Sequence, residues 1–89
     1  MTTVWKTVLK PTDIQIVDLP RGAEIIFCGE QRGNICIWYR CDETAPKEQR
    51  KIAICGTGSP CPDAGQGSYI GSVIMHGGAL VFHLFEGAM

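Results

Sequence analysis

The sequence carries almost no excess charge. Eight Lys+Arg against nine Asp+Glu leave a net charge of −1, which removes the attraction behind non-specific binding to nucleic acid and acidic membranes. No stretch approaches the roughly 18 uninterrupted apolar residues of a membrane-spanning helix, and the start, Met1-Thr2-Thr3-Val4-Trp5-Lys6, has no apolar leader of the export type. These absences point to the cytosol, with no membrane and no direct DNA contact. Catalytic signatures are missing as well. There is no Gly-x-Ser-x-Gly elbow, no P-loop lysine and no complete dinucleotide fingerprint, so no enzyme and no cofactor is expected.

What is present is a single domain spanning residues 1–89, 45% apolar and too short for two. A chain this short buries only about 60–65% of the surface its unfolded form exposes, which leaves a thin core. Five cysteines, Cys28, Cys36, Cys41, Cys55 and Cys61, are many for this length. Their odd number and the lack of an export signal favour reduced thiols, buried as small hydrophobes, over a disulfide framework. Zinc is the alternative, but only Cys36-x₄-Cys41 has ligand-pair spacing. Those two residues lie in one expected strand and point to opposite faces, so no metal is expected.

Turn signals recur about every eight to twelve residues between runs rich in Val, Ile, Tyr, Phe, Trp and Thr, the pattern of an all-β chain of six to seven short antiparallel strands. The expected strands are residues 3–10, 14–19, 23–29, 35–41, 51–55, 69–76 and 79–86, forming a small sheet, barrel or sandwich. Leu19-Pro20-Arg21-Gly22 suits a type I turn, and Glu30 to Asn34 suits a hairpin connection. The charged run Asp42 to Arg50 reads as a solvated loop with room for one helical turn. Residues 56–68 form a long loop of small residues and breakers, a length that usually serves function or is disordered.

Gly77-Gly78 marks a two-residue type I′ hairpin. That register sets Ser72 against His83, Ile74 against Val81 and Ile70 against Phe85 on one face, and Val73 against Phe82 and Tyr69 against Glu86 on the other. Both faces are largely apolar. A solitary sheet exposes one polar face, so the expectation is that one face packs internally and the other against a second copy, a homo-oligomer through the 69–86 hairpin. A closed barrel with a filled exterior is the competing explanation. His76 and His83 fall roughly 13 Å apart in this register at about 3.3 Å per residue, too far to share an ion within a subunit. Gly56-Thr57-Gly58-Ser59, with Arg50 and Lys51 close before it, is a weak anion nest. Cys55 or Cys61 with His76 is a catalytic pair on paper only.

The ordered set Trp5-Lys6, Pro11-Thr12-Asp13, Leu19-Pro20-x-Gly22-Ala23, Trp38, Gly56-Thr57-Gly58-x-Pro60-x-Pro62-Asp63, Tyr69-Ile70-Gly71-Ser72 and His76 to His83 covers nearly the whole chain. It resembles a family of small proteins common on bacteriophage and prophage genomes, in which the cysteines are not part of the pattern. The resemblance implies a phage protein acting in the bacterial cytosol by binding. One expectation is a counter-defence sponge that sequesters a nucleotide-type immune messenger at subunit interfaces. Gly56, Thr57, Gly58 and Ser59 then supply donors, Arg50 or Arg40 faces phosphate, and Tyr69 or Trp38 stacks on a base. The alternative is a protein-directed inhibitor of a host defence complex such as a CRISPR effector. A cysteine hydrolase is the third class.

Overall fold

Alternating burial along the strands sorts the side chains into an inner and an outer set. In a computed structural model, which describes residues 1–89 apart from the side chain of Ala64, seven strands form two antiparallel sheets. They are β1 (Thr2–Val8), β2 (Ile14–Pro20), β3 (Glu24–Gln31), β4 (Asn34–Asp42), β5 (Lys47–Gly56), β6 (Ser68–Met75) and β7 (Leu80–Gly87). One sheet has the order β1-β4-β3 and the other β2-β5-β7-β6. The molecule is 17 Å across its shortest axis, the thickness of two layers packed about 10 Å apart. The all-β expectation is thus met by a sandwich rather than a barrel.

Ile35, Ile37, Tyr39 and Cys41 of β4 face inward and meet Leu19 of β2, Ile52 and Ile54 of β5, Val73 of β6 and Leu84 of β7. Leu19, Ile37, Ile52 and Leu84 are completely buried, and each such side chain stabilises the fold by about 1.5–3 kcal/mol relative to exposure. The Tyr39 hydroxyl, the polar end of this layer, is 2.9 Å from Thr7 Oγ1. Between the sheets, Gly71 of β6 faces Cys28 of β3 so closely that a Cβ on Gly71 would lie 2.6 Å from the Cys28 sulfur.

The chain changes sheet at corners held by side chains. Gln15 clasps the backbone of Lys10, accepting from its N–H at 3.0 Å and donating to its C=O at 2.8 Å. The Asp42 carboxylate accepts from the Thr44 N–H at 2.9 Å and hydroxyl at 2.7 Å, an Asx turn leading into β5.

Three local expectations are corrected. Much of the charged run 42–50 is strand, because β5 begins at Lys47 and pairs with β2 from Pro20↔Lys47 onward. Its polar residues alternate, with Lys47 and Gln49 exposed and Glu48 and Arg50 half-buried, and Arg50 finds acidic partners in Glu86 and Glu48. The β2–β3 turn is shifted by one residue: the Ala23 N–H donates to the Pro20 C=O at 3.0 Å and Gly22 takes φ +78°, the type II signature. In the C-terminal hairpin, the register from Met75↔Leu80 to Gly71↔Leu84 is as read from the sequence, with Gly77 and Gly78 both at positive φ. Beyond it a bulge at Ile70 makes Tyr69 pair with Phe85. Tyr69 therefore joins the outer face, while Ile70 packs against the core.

Candidate functional site

Where β1, β4, β5 and the β6–β7 turn run out, the two sheets part and leave a cavity of about 360 Å³. Its floor is the end of the core: Leu9, Ile35, Ile54, Met75 and Phe82. Thr12, Asp13, Ser59 and His76 bring polar groups to the lining from three connecting segments, and Asn34 adds another from the first position of β4. Asp13 is the only lining residue with a full charge, and no lysine or arginine lines the space. An apolar pocket with a few convergent polar groups, set on loops carried by a rigid sheet, is the usual form of a small-molecule site.

A second polar arrangement lies on the outer face of the four-stranded sheet. Tyr69 OH is 2.8 Å from Ser72 Oγ, which is 2.8 Å from His83 Nδ1, and His83 Nε2 is 2.8 Å from Thr57 Oγ1. The order follows from register, since Ser72 and His83 are cross-strand partners. Each imidazole nitrogen thus has a hydroxyl partner, one of them accepting and the other donating in the neutral ring, and the two bonds fix the ring's orientation. The Tyr69 ring also packs on Phe85, centroids 5.5 Å apart.

The model of the family described as Domain of unknown function (DUF7352) matches residues 1–89, the whole sequence. The chain belongs to the DUF7352 family. No curated protein and no solved structure matches it.

The DUF7352 fold does not gather the eight residues singled out from the sequence. Gly56 and Ser59 line the cavity, and Thr57 and Tyr69 end the hydroxyl–histidine row. The Gly56–Ser59 nest is not formed, because the Thr57 N–H donates to the Val81 C=O at 3.2 Å and the Ser59 N–H to the Gly56 C=O at 3.0 Å. Gly58 takes φ +81° in this turn and faces open space.

Arg50 lies four residues back along β5 from Ile54, roughly 13 Å at about 3.3 Å per residue. Its guanidinium forks onto the Glu86 carboxylate and donates to the Ala23 C=O at 3.0 Å. The Glu86 hydrogen bond, opposed by burial, raises its already high pKa. Arg40 and Trp38 are on the outer face of the other sheet, where Arg40 pairs with Glu24 and the Trp38 ring packs tilted against Phe27, centroids 5.4 Å apart. Both arginines that were candidates for phosphate are thus engaged by carboxylates.

The long loop of the DUF7352 domain folds back over its own sheet. A 3₁₀ turn, Asp63–Gln66, brings Gly65 against Cys55, which points outward from β5 and is nevertheless buried. The outer side of β5, beside the 69–86 hairpin, is therefore covered here by the chain itself. Burial, followed by the neighbouring Cys61 thiol and Asp13, pushes the Cys55 thiol up to about 11. Its cross-strand neighbour is His83, not His76. Among the described residues no three Cys, His, Asp or Glu side chains gather as a metal site. The Cys36/Cys41 geometry is as read from the sequence, with Cys41 in the core and Cys36 on the outer side of β4.

Proposed function

We propose that this domain is a non-enzymatic binding protein whose ligand enters the cavity at the loop end of the sandwich. The observation that carries the reading is the pairing of an apolar floor with one unshared charge, Asp13. That chemistry suits a small molecule with a flat or apolar body and a hydrogen-bond donor or positive charge aimed at the carboxylate. It does not suit a phosphate, which meets a like charge and no cation. A nucleotide-type messenger fits only through its base or nucleoside half, with the phosphates outside. The phage origin and counter-defence role implied by the resemblance belong to this same proposal, as sequestration of a host signal in the bacterial cytosol.

The test is a melting-temperature screen that compares nucleosides with their 5′-phosphates. Nucleosides are expected to raise Tm and be recovered intact after denaturation, their phosphates to raise it less, and Phe82→Trp, which fills the floor, to abolish the shift. A larger shift for the phosphates overturns the ligand assignment. Degraded ligand overturns the non-enzymatic reading, and no shift for any compound overturns the site.

A second reading rests on the outer face at β6, an edge strand, where Tyr69 is 62% and Ile74 66% exposed. Apolar side chains on a sheet edge favour a protein partner, either a second copy through the 69–86 hairpin or a host defence protein. Light scattering that finds a dimer or larger, lost in Ile74→Asp with the fold intact, supports the copy. A 9.7 kDa particle at all concentrations refutes it.

A further inference from the structure

Two cysteine sulfurs flank Gly65 of the long loop, and the binding reading uses neither. Cys55 is 3% exposed on the outer side of β5, and Cys61, six residues on, is exposed to solvent. The 3₁₀ turn sets Gly65 over both. A Cβ on Gly65 would lie 2.8 Å from the Cys55 sulfur, 3.1 Å from Cys61 Cβ and 3.5 Å from the Cys61 sulfur. Only a residue without a side chain lets the turn close there, so the same contact that seats the loop holds the thiols together. The remaining cysteines lack such a neighbour: Cys28 and Cys41 are in the core and Cys36 is on the far sheet. Zinc does not explain the pair, since among the described residues no third Cys, His, Asp or Glu gathers with it as a metal site.

We propose that Cys55 and Cys61 are a modification site, a dithiol that hydrogen peroxide closes reversibly into a disulfide. The ring so formed contains Gly56, Ser59 and Pro60, one wall of the cavity. The exposed Cys61 sulfur attacks the peroxide as thiolate. An S–O bond forms, the O–O bond breaks, and the released hydroxide takes up a proton as water. The Cys55 sulfur then gives up its proton and attacks the Cys61 sulfenic acid. The S–S bond forms, the S–O bond breaks, and a second water leaves. Two electrons pass from the thiols to the peroxide. Because Cys55 titrates near 11, the second step is slow at neutral pH and quickens as pH rises. Closure fixes the wall in one conformation, and reduction by a dithiol releases it.

The sequence makes the test clean. Trypsin has no site after Lys51, so the peptide from Ile52 to Met89 carries Cys55 and Cys61 and no other cysteine, while Cys28, Cys36 and Cys41 fall in three separate peptides. The full-length protein is treated with one equivalent of hydrogen peroxide, alkylated after unfolding, digested and weighed. The expected product is a 52–89 peptide about 2 Da lighter than the dithiol and unalkylated, with the other three cysteines alkylated. Dithiothreitol should restore two alkylations. Cys61→Ser should abolish the lighter peptide without lowering Tm, since the exposed side chain is not in the core. The bridged protein should melt no lower than the reduced one. Two alkylations on 52–89 after peroxide, sulfinic acid at Cys61 with Cys55 still alkylated, or a bridged form that melts several degrees lower would each overturn the proposal.

Discussion

Gly71→Ala tests how the two sheets are fitted together. Gly71 has an ordinary negative φ, so alanine meets no backbone penalty there, and the swap removes unfolded-state freedom worth about 0.5–1 kcal/mol in the mutant's favour. Against that stands the contact. The added methyl would sit 2.6 Å from the Cys28 sulfur, where ordinary heavy-atom contacts are about 3.5–4.0 Å. The sulfur must retreat by roughly 1 Å, yet Cys28 is 7% exposed and paired beside Ile37 in the core. Overpacking of this kind costs about 1–3 kcal/mol, which outweighs the chain-entropy gain and leaves a net loss of about 1–2 kcal/mol. For a domain this size that lowers Tm by about 5–15 °C. Urea unfolding of Gly71→Ala, Cys28→Ala and the double variant should give a coupling of about 1 kcal/mol or more, because alanine at 28 vacates the space the new methyl needs. Additive losses, or a Gly71→Ala variant more stable than the parent, would refute the close-approach argument.

Two further perturbations address the rest of the inner layer and the loop. Arg50→Met leaves the Glu86 carboxylate without its main partner in a region where the two side chains are 17% and 25% exposed. The expected loss is about 2 kcal/mol, below the ~3–5 of a fully buried pair, and Arg50→Met with Glu86→Met should recover most of it in the same unfolding assay. For Cys55, the folded-state value near 11 lies above the ordinary 9.0, so burial favours the neutral thiol. Its contribution is complete below pH 9 and disappears as pH rises through about 11. The urea midpoint of the parent should therefore fall more steeply between those pH values than that of Cys55→Ala. Parallel curves would show that the buried thiol is not the cause.

The strands were legible because alternation is a local property, and Gly77-Gly78 fixed the register of the last hairpin without help from the rest of the chain. The Ser72–His83 pair followed from that register alone. The bulge at Ile70 left no mark in the sequence, since Tyr69 and Ile70 are both apolar enough for either face, and its choice depends on which one fits against the opposite sheet. Arg50 was misread for a different reason. Next to Lys51 and close before a glycine-rich turn it looks like a phosphate ligand, and only the pairing of β5 with β7 reveals Glu86 as its partner. The cavity was half visible: Gly56 and Ser59 belong to the segment that drew attention, but Asp13, Asn34 and His76 reach the same space from positions far apart in the chain.

The loop 56–68 explains why a thin-cored domain tolerates a long irregular segment. Burying Cys55 on the outer side of β5 requires cover that the opposite sheet cannot give, because it packs on the other face. The loop supplies that cover through Gly65. Its first residues also wall the cavity, so the surface that stabilises the central strand and the surface that receives a ligand are two sides of one segment. Anything that loosens the seat at Gly65 should disturb both. Gly65→Val places a branched side chain where the first carbon already lies 2.8 Å from the Cys55 sulfur, with an expected cost of about 1–3 kcal/mol. Its diagnostic consequence is rapid alkylation of Cys55 by iodoacetamide under native conditions, at a pH where the parent labels only at Cys61. If Cys55 stays protected in that variant, the loop is not its cover, and the link between cavity wall and strand burial fails with it.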